Sequence, residues 1–554
     1  MSMVQHEQAE SLLPAGENGH APDVSLKLRV KYYLHEGRRR LLSRLLQQAS
    51  PSQVYRALKK FGYSLTPTLV RTLVWDEEAP APKRFPTSYL NGLRGLTAVK
   101  VFTFHYSFAY SDFGFQPWGV DDRHKYFLEL PIIRYFYSGF TSHVFFGIAG
   151  YLTALRLFQL LEKSDATTHQ KVFQSISGAM FRRALRLYMP VFVITLLTTT
   201  YIHLGFYEPY RDFIHDHANF PGEWNEPKPP MLPTWPEQLY YWGREMFGLT
   251  NIITEATVYP YHDQHLWSIL SEMRASLHLY GILIALAQCK KQVRVVLLVF
   301  LTLMYFLWNH WEIWVYILGA FVAQVDVLLT ERDQTNRDTL PAREGEESSS
   351  QDEKPLAQPQ ISRPLHEFPH LGRLRLGRMS RFRAPLRSII RYVTFFISFY
   401  FLSYPIDGAQ DYAPGYMWLN KIIPEWMVRK DKFYPNIGTA LLILLLARSN
   451  PDTSKWRRFL TSPIPLYLGK ISFALYLVHG PLMHVFGYMI PHEIAWSIGT
   501  ELGKMNDFSW ACAIISGWTI TLVASLWAAD IWTREVENRC VKAVKYLEKV
   551  CFVK

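Results

Sequence analysis

The sequence predicts an all-α, polytopic membrane protein with about ten transmembrane helices. Three observations carry the prediction. First, of 554 residues 49% are hydrophobic and only 19% charged, below the roughly one-quarter charged content of soluble proteins. Second, apolar runs of about 17–25 residues, long enough to cross a bilayer, alternate with polar stretches at 1–88, 206–263 and 331–387. Those stretches dilute the mean hydropathy to −0.03. Third, the formal net charge of +12 forms neither a tail nor a face. It sits beside the ends of the apolar runs, where basic residues hold loops in the cytosol. This pattern excludes a soluble enzyme and a nucleic-acid partner.

Ten spans follow in order: 95–112, 138–160, 187–205, 265–288, 293–309, 311–329, 389–405, 435–448, 464–489 and 509–529. The run at 435–448 is short. The run at 464–489 contains Pro465 and Pro481 and is expected to bend. The run at 265–288 carries His265, Glu272, Arg274 and His278, which lowers its hydropathy. With a cytosolic N-terminus, the segments rich in Arg and Lys fall on the cytosolic side, among them Arg182, Arg183, Arg186 and the run from Arg373 to Arg387. The opposite segment 206–263 holds Glu208, Asp212, Asp216, Glu223, Glu226 and Glu237 against few basic residues. An even number of spans puts both basic termini on one side, so charge and count agree.

The expected organisation is a cytosolic basic region at 1–88, a ten-helix membrane domain at 89–529 and a cytosolic tail at 530–554. The domain includes a luminal loop at 206–263 and a disordered, basic cytosolic loop at 331–387. Residues 26–48 read either as a basic helix on anionic lipid or as a plain solvated helix. Residues 331–370, rich in Glu, Ser, Gln and Pro, read as a disordered linker, and the arginine run after them as a juxtamembrane lipid contact. No cleavable signal precedes the first apolar run, which would itself direct insertion, with a bias to the endoplasmic reticulum or another endomembrane. Cys289, Cys512, Cys540 and Cys551 have no zinc spacing and no disulfide framework is expected. No His-Glu-x-x-His occurs, so no metal is expected. Oligomeric state is not legible.

Ionisable side chains inside spans are costly unless they line a cavity or have partners. Lys100, His105, His143, Arg156, His265, Glu272, Arg274, His278, His479 and His484 are such residues. Arg94 and His105 lie eleven residues apart, about three helical turns or roughly 16 Å, on one face at different depths. A guanidinium can hold a phosphate in two-point contact. An imidazole can take a proton from an alcohol near neutral pH. Read alone, Arg94 is equally an interfacial residue with its head in water, and His105 a packed interhelical histidine.

Five blocks follow in order: Tyr89-Leu-Asn-Gly-Leu-Arg-Gly-Leu96 with Phe104-His105; Phe145-Phe-Gly-Ile-Ala-Gly-Tyr-Leu152; Arg183-x-x-Arg186; His265-Leu-Trp-Ser-Ile-Leu-Ser-Glu272; and Ile471-Ser-Phe-Ala-Leu-Tyr-Leu-Val-His479 with Pro481. Together they resemble the membrane-bound acyltransferase-3 family, filamentous-fungal branch. Asn91 stands where the family often has Asp, Ala149 where Ser is common, and Gly480 where many members have an aromatic residue. The resemblance implies transfer of an acyl group, acetyl by default, from acyl-CoA to a hydroxyl. Acyl-CoA is then a co-substrate and no cofactor is bound.

On that reading Arg94, Arg183 and Arg186 hold the phosphates, and the last two also satisfy the positive-inside pattern. Arg183 and Arg186, placed at the start of the third span, would gain from a helix N-terminus. His105 is the general base for direct transfer, with an acyl-histidine intermediate as a variant. Glu272 orients the imidazole or holds the acceptor, or else forms a structural ion pair with Arg274 or a neighbouring His. Trp267, Tyr476 and His479 contact substrate. The acceptor implied is a small lipophilic secondary metabolite or, alternatively, a sugar on a glycan or glycolipid. An organic-anion transporter is the rival from another class; it predicts internal repeats, and none is evident.

Overall fold

A computed structural model of the protein describes most of 55–71 in patches and then 85–137, 142–162, 168–216, 219–222, 226–254, 257–338, 379–406 and 411–552. The chain divides into two compact units, Met1–Glu77 and Glu78–Lys554. In the first, residues 62–65 form a helical turn and the Arg71 guanidinium lies 3.7 Å over the Tyr63 ring. The segment 26–48 lies outside the described residues.

The second unit is all-helical among the described residues. Its longer helices are α1 Ser88–Ser107, α2 Ser142–Leu161, α3 Thr168–His203, α4 Trp235–Leu249, α5 Trp267–Leu286, α6 Lys291–Leu307, α7 Trp311–Asp338, α8 Met379–Leu402, α9 Phe433–Ala447, α10 Pro463–Val485, α11 Ile490–Ser497, α12 Asp507–Trp532 and α13 Asn538–Cys551. Each of the ten expected apolar runs falls on one of these. Among the described residues, five helical segments qualify as spans by length and hydropathy, and a sixth does if α10 and the bent segment after it count as one. Large apolar side chains on α6, α8 and α12 face outward, among them Phe300, Leu303, Phe396, Ile515, Ile520 and Val523. Outward apolar faces on long helices belong against lipid.

Several boundaries differ from the sequence reading. Helix α3 starts at Thr168, so Arg183 and Arg186 lie well inside it and no helix N-terminus supports them. Its amphipathic first half extends the span because nothing before Pro190 interrupts it, and Pro190 itself is accommodated inside the helix. The expected loop 206–263 contains α4. Its start is fixed by a capping box, in which Thr234 Oγ1 accepts from the Glu237 amide at 3.4 Å and Glu237 accepts from the Thr234 amide at 3.1 Å. Residues 331–338 of the expected linker continue α7, and 339–370 lie outside the described residues. The expected bend at Pro465 or Pro481 falls instead after Val485, where the chain turns by 50°. Pro465 sits in the first turn, where its missing N–H costs nothing. The expected tail is helical: α12 passes through a π-helical turn, Thr533–Glu537, into α13.

Glycines set the closest helix crossings. A Cβ on Gly92 or Gly95 of α1 would collide with backbone at Leu460 and Gly469, and one on Gly469 of α10 with the Asn91 carbonyl. Gly150 of α2 and Gly319 of α7 are likewise pressed on the carbonyl oxygens of Tyr316 and Gly147. Such small-residue crossings let helix backbones meet where lipid removes the usual hydrophobic drive. Replacing Gly150 by Val is expected to destabilise the domain by about 1–3 kcal/mol or more, read as a lower thermal midpoint of the detergent-solubilised protein. An unchanged midpoint would contradict the α2–α7 crossing.

Candidate active site

The α1–α10 crossing brings His105, near the end of α1, against His479 in the middle of α10. His105 Nδ1 and His479 Nε2 are 2.9 Å apart. His479 Nδ1 lies 2.7 Å from the Tyr476 carbonyl oxygen and 3.1 Å from that of Leu475. Carbonyl oxygens only accept, so His479 Nδ1 carries the hydrogen and its Nε2 is left as acceptor. His105 Nδ1 must then donate. The hydrogen-bond chain thereby assigns His105 the tautomer whose Nε2 bears a free lone pair. That nitrogen has no hydrogen bond among the described residues, and His105 lines the main cavity.

His265, at the foot of α5, stacks on His105 with ring centroids 3.8 Å apart and planes 22° apart. Two buried carboxylates hold it. Asp263 Oδ1 accepts from His265 Nδ1 at 2.9 Å, and Glu226 Oε1 makes a close ionic contact of 2.7 Å with Nε2, without the alignment of a hydrogen bond. Glu226 Oε2 also accepts from His484 Nε2 at 2.9 Å. Burial alone would raise the Glu226 carboxyl, but the His265 imidazole beside it and the His484 hydrogen bond hold it well below the usual carboxylate range. Tyr476 donates to the His265 carbonyl, and its hydroxyl lies 2.9 Å from Ser268 Oγ.

One nitrogen from each of the three imidazoles comes within 4.8 Å of the others, a spacing an ion could bridge. The donor set does not favour that use. Both His265 nitrogens face carboxylates, and His479 Nε2 already serves His105, which leaves His105 Nε2 alone open. A tetrahedral metal site needs at least three free ligands.

The cavity, about 470 Å³, runs from this cluster to a second, basic end. Arg94 of α1 and Arg182, Arg183 and Arg186 of α3 line that end, with Glu272 of α5. Arg183 pairs with Glu272 and donates to the Tyr316 hydroxyl at 2.6 Å. Arg182 pairs with Glu548. Arg94 and Arg186 make no hydrogen bond or ion pair among the described residues. The cavity therefore offers two guanidinium groups without a direct ion pair, with Glu272 and Glu537 lining the same cavity, and a lone-pair nitrogen on His105.

The site residues read from sequence distribute as follows. Arg94, His105, Arg183, Arg186, Trp267, Glu272 and Tyr476 line the one cavity. His479, expected to touch substrate, stands behind His105 instead, because its Nε2 points across the helix crossing. Glu272, expected beside an imidazole, bonds to Arg183 at the basic end; its helix position, nearly two turns beyond His265, carries it there. Arg274 pairs with Glu312 at 3.2 Å. His143 bonds to Asn436 Oδ1 at 2.6 Å, and Lys100 lies 3.5 Å over the Tyr135 ring; both are interhelical packing. Arg156 faces outward.

Sequence reasoning missed Glu226 and Asp263 as site residues and noted Gly480 only as a departure from the resembled family. Asp263 was findable, since an Asp two residues before a helix-opening His caps that turn: its Oδ1 accepts the His265 amide at 3.0 Å. Glu226 had no local signal. Gly480 has a steric reason: a Cβ there would stand 2.9 Å from His265 Nδ1 and 3.0 Å from both Asp263 carboxylate oxygens. A side chain at this position would force the His265–Asp263 pair to shift from where it stands.

The fold and the site define an all-helical membrane protein with one cavity lined both by arginines and by a histidine. The chain belongs to the acyltransferase-3 family: the family's acyltransferase domain matches residues 87–530. It is similar to acyltransferase R4 of Phoma sp., at 25% identity over 84% of this chain and 97% of that protein. It is similar also to the O-acetyltransferase PaAT-1 of Phomopsis amygdali, at 24% over 83% and 84%, and to acyltransferase clz18 of Cochliobolus lunatus, at 23% over 84% and 97%. No solved structure matches the chain.

If Gly480 is the space that seats Asp263 on His265, G480A lowers transferase turnover by between about 10- and 100-fold through misplacement of the histidine stack, with a thermal midpoint near wild type. Wild-type turnover in G480A would remove this pair from the site.

Proposed function

We propose that the chain is a multi-pass membrane O-acyltransferase that moves an acyl group, acetyl first among candidates, from acyl-CoA to a hydroxyl of a small lipophilic secondary metabolite. The observation that carries the reading is the hydrogen-bond chain from the Tyr476 and Leu475 carbonyls through His479 to His105 Nδ1, which leaves His105 Nε2 open at the cavity. Arg94 and Arg186 bind donor phosphates, with Arg183 held in place by Glu272. Coenzyme A carries its phosphates far from its thiol, and the two-ended cavity matches that separation of charge and reacting atom. The name of the Phomopsis amygdali relative favours acetyl and an oxygen acceptor. The apolar residues between the two ends, Phe104, Phe145, Phe146, Ile148 and Leu152, favour a lipophilic acceptor over a sugar.

The reaction runs by proton transfer at one nitrogen. His105 Nε2 accepts the acceptor's hydroxyl proton as the oxygen attacks the thioester carbonyl. The tetrahedral intermediate collapses, the C–S bond breaks, and the Nε2 proton passes to the departing thiolate. His479 keeps Nδ1 bonded throughout, so the imidazole neither turns nor changes tautomer. The stacked His265, fixed by Asp263 and Glu226, packs on one face of the His105 ring and helps hold its orientation. Ten spans with both termini in the cytosol of an endomembrane put the arginine end at the cytosolic mouth, where acyl-CoA is found.

Membranes carrying wild type or H105A, given radiolabelled acetyl-CoA and a lipophilic host extract, test this. Wild type is expected to yield a labelled ester whose mass identifies the acceptor, and H105A to lose about 10²–10⁴-fold in rate. Equal labelling by both would remove His105 from catalysis. A folded wild type that labels nothing while taking up organic anions would replace the enzyme by a transporter.

A further inference from the structure

The family domain ends at residue 530, yet the cavity does not. Glu537, Cys540 and Val541 line its basic end together with Arg94 and Arg186. The π-helical turn Thr533–Glu537 puts them there. Its extra residue per turn shifts the register of everything after it, a device that recurs at functional sites. Helix α13 is seated firmly. Glu548 pairs with Arg182 of α3, and the Phe181 and Phe552 rings meet edge-on with centroids 5.3 Å apart. Gly178 makes room for this, since a Cβ there would stand 2.8 Å from Glu548 Oε1.

Glu537 is the unexplained group. Its Oε2 is buried without an aligned hydrogen bond; the charges of Arg186 and Arg94 act on it, with the Thr533 hydroxyl beside it. A carboxylate in an anion site repels the ligand, and an unpaired buried one is costly. Both costs are offset if its charge balances the two free guanidinium groups while the site is empty.

We propose that Glu537 is a built-in counter-ion of the donor-binding arginines, with which the phosphates of the incoming thioester compete. This rests on the acyl-CoA reading above. The chemistry gives the device a use. The product, coenzyme A, carries the same phosphates as the substrate, so a site of uncompensated arginines would retain it. A resident carboxylate weakens both alike and lets product leave. Uniformly tight binding lowers KM without raising turnover. The C-terminal segment beyond the family domain thus tunes donor affinity.

Equilibrium binding of coenzyme A to the purified full-length chain in detergent tests the proposal, with the isosteric E537Q and, as a second variant, E537A. Both are expected to bind about ten-fold tighter than wild type, from loss of one repulsive charge at short range. A double-mutant cycle adds R186Q and R94Q: the gain from E537Q should shrink in both backgrounds. Unchanged or weaker binding in E537Q would overturn the counter-ion role, as would an equal gain in every background. A folded wild type that does not bind coenzyme A would overturn the donor reading and this proposal together.

Discussion

The crossing of α1 and α10 is the constraint on which the site depends. Gly95 and Gly469 let the two backbones meet, Gly92 makes room for Leu460 just before α10, and His105 comes within hydrogen-bond reach of His479. Two backbone carbonyls then fix the His479 proton, and His479 fixes that of His105. A wider crossing would leave His105 free to flip between tautomers, each exposing a different nitrogen. The close approach at Gly95 and Gly469 is thereby converted into the protonation state of one atom.

The same economy appears at the other end. α3 carries three arginines on one stretch, but the structure uses them differently. Arg182 anchors α13 and Arg183 anchors α5, while Arg186 stays free beside Arg94. Pairing two of them is what permits several positive charges to share a partly buried cavity. The carboxylates follow suit: Glu272, Glu548 and Glu537 lie at the basic end, and Glu226 and Asp263 at the histidine end. Each end has its own charge balance, and the apolar residues between them keep the two apart.

Much of this was legible in the sequence, for identifiable reasons. Helix positions follow from apolar runs, and all ten runs fall on helices. Arg94, His105, Arg183 and Arg186 could be picked out because charged groups in apolar surroundings demand a use. The partners were less legible. Glu226 reaches His265 and His484 from a polar stretch whose composition reads only as loop, and no spacing rule links positions so far apart. Glu272 pairs with Arg183 of α3 rather than with Arg274 or a histidine, a partner on another helix that no spacing rule indicates. The start of α3 and the π turn after α12 were missed since amphipathic and π-helical segments outside an apolar run carry no hydropathy signal.

The most direct test of the central claim is a structure of the protein in lipid with a non-transferable thioether analogue of acetyl-CoA bound. The account predicts phosphates on Arg94 and Arg186 and the carbonyl carbon placed so that an attacking hydroxyl fits between it and His105 Nε2, at roughly 3–3.5 Å from each. An analogue bound with its carbonyl remote from His105, or with its phosphates away from both arginines, would contradict it.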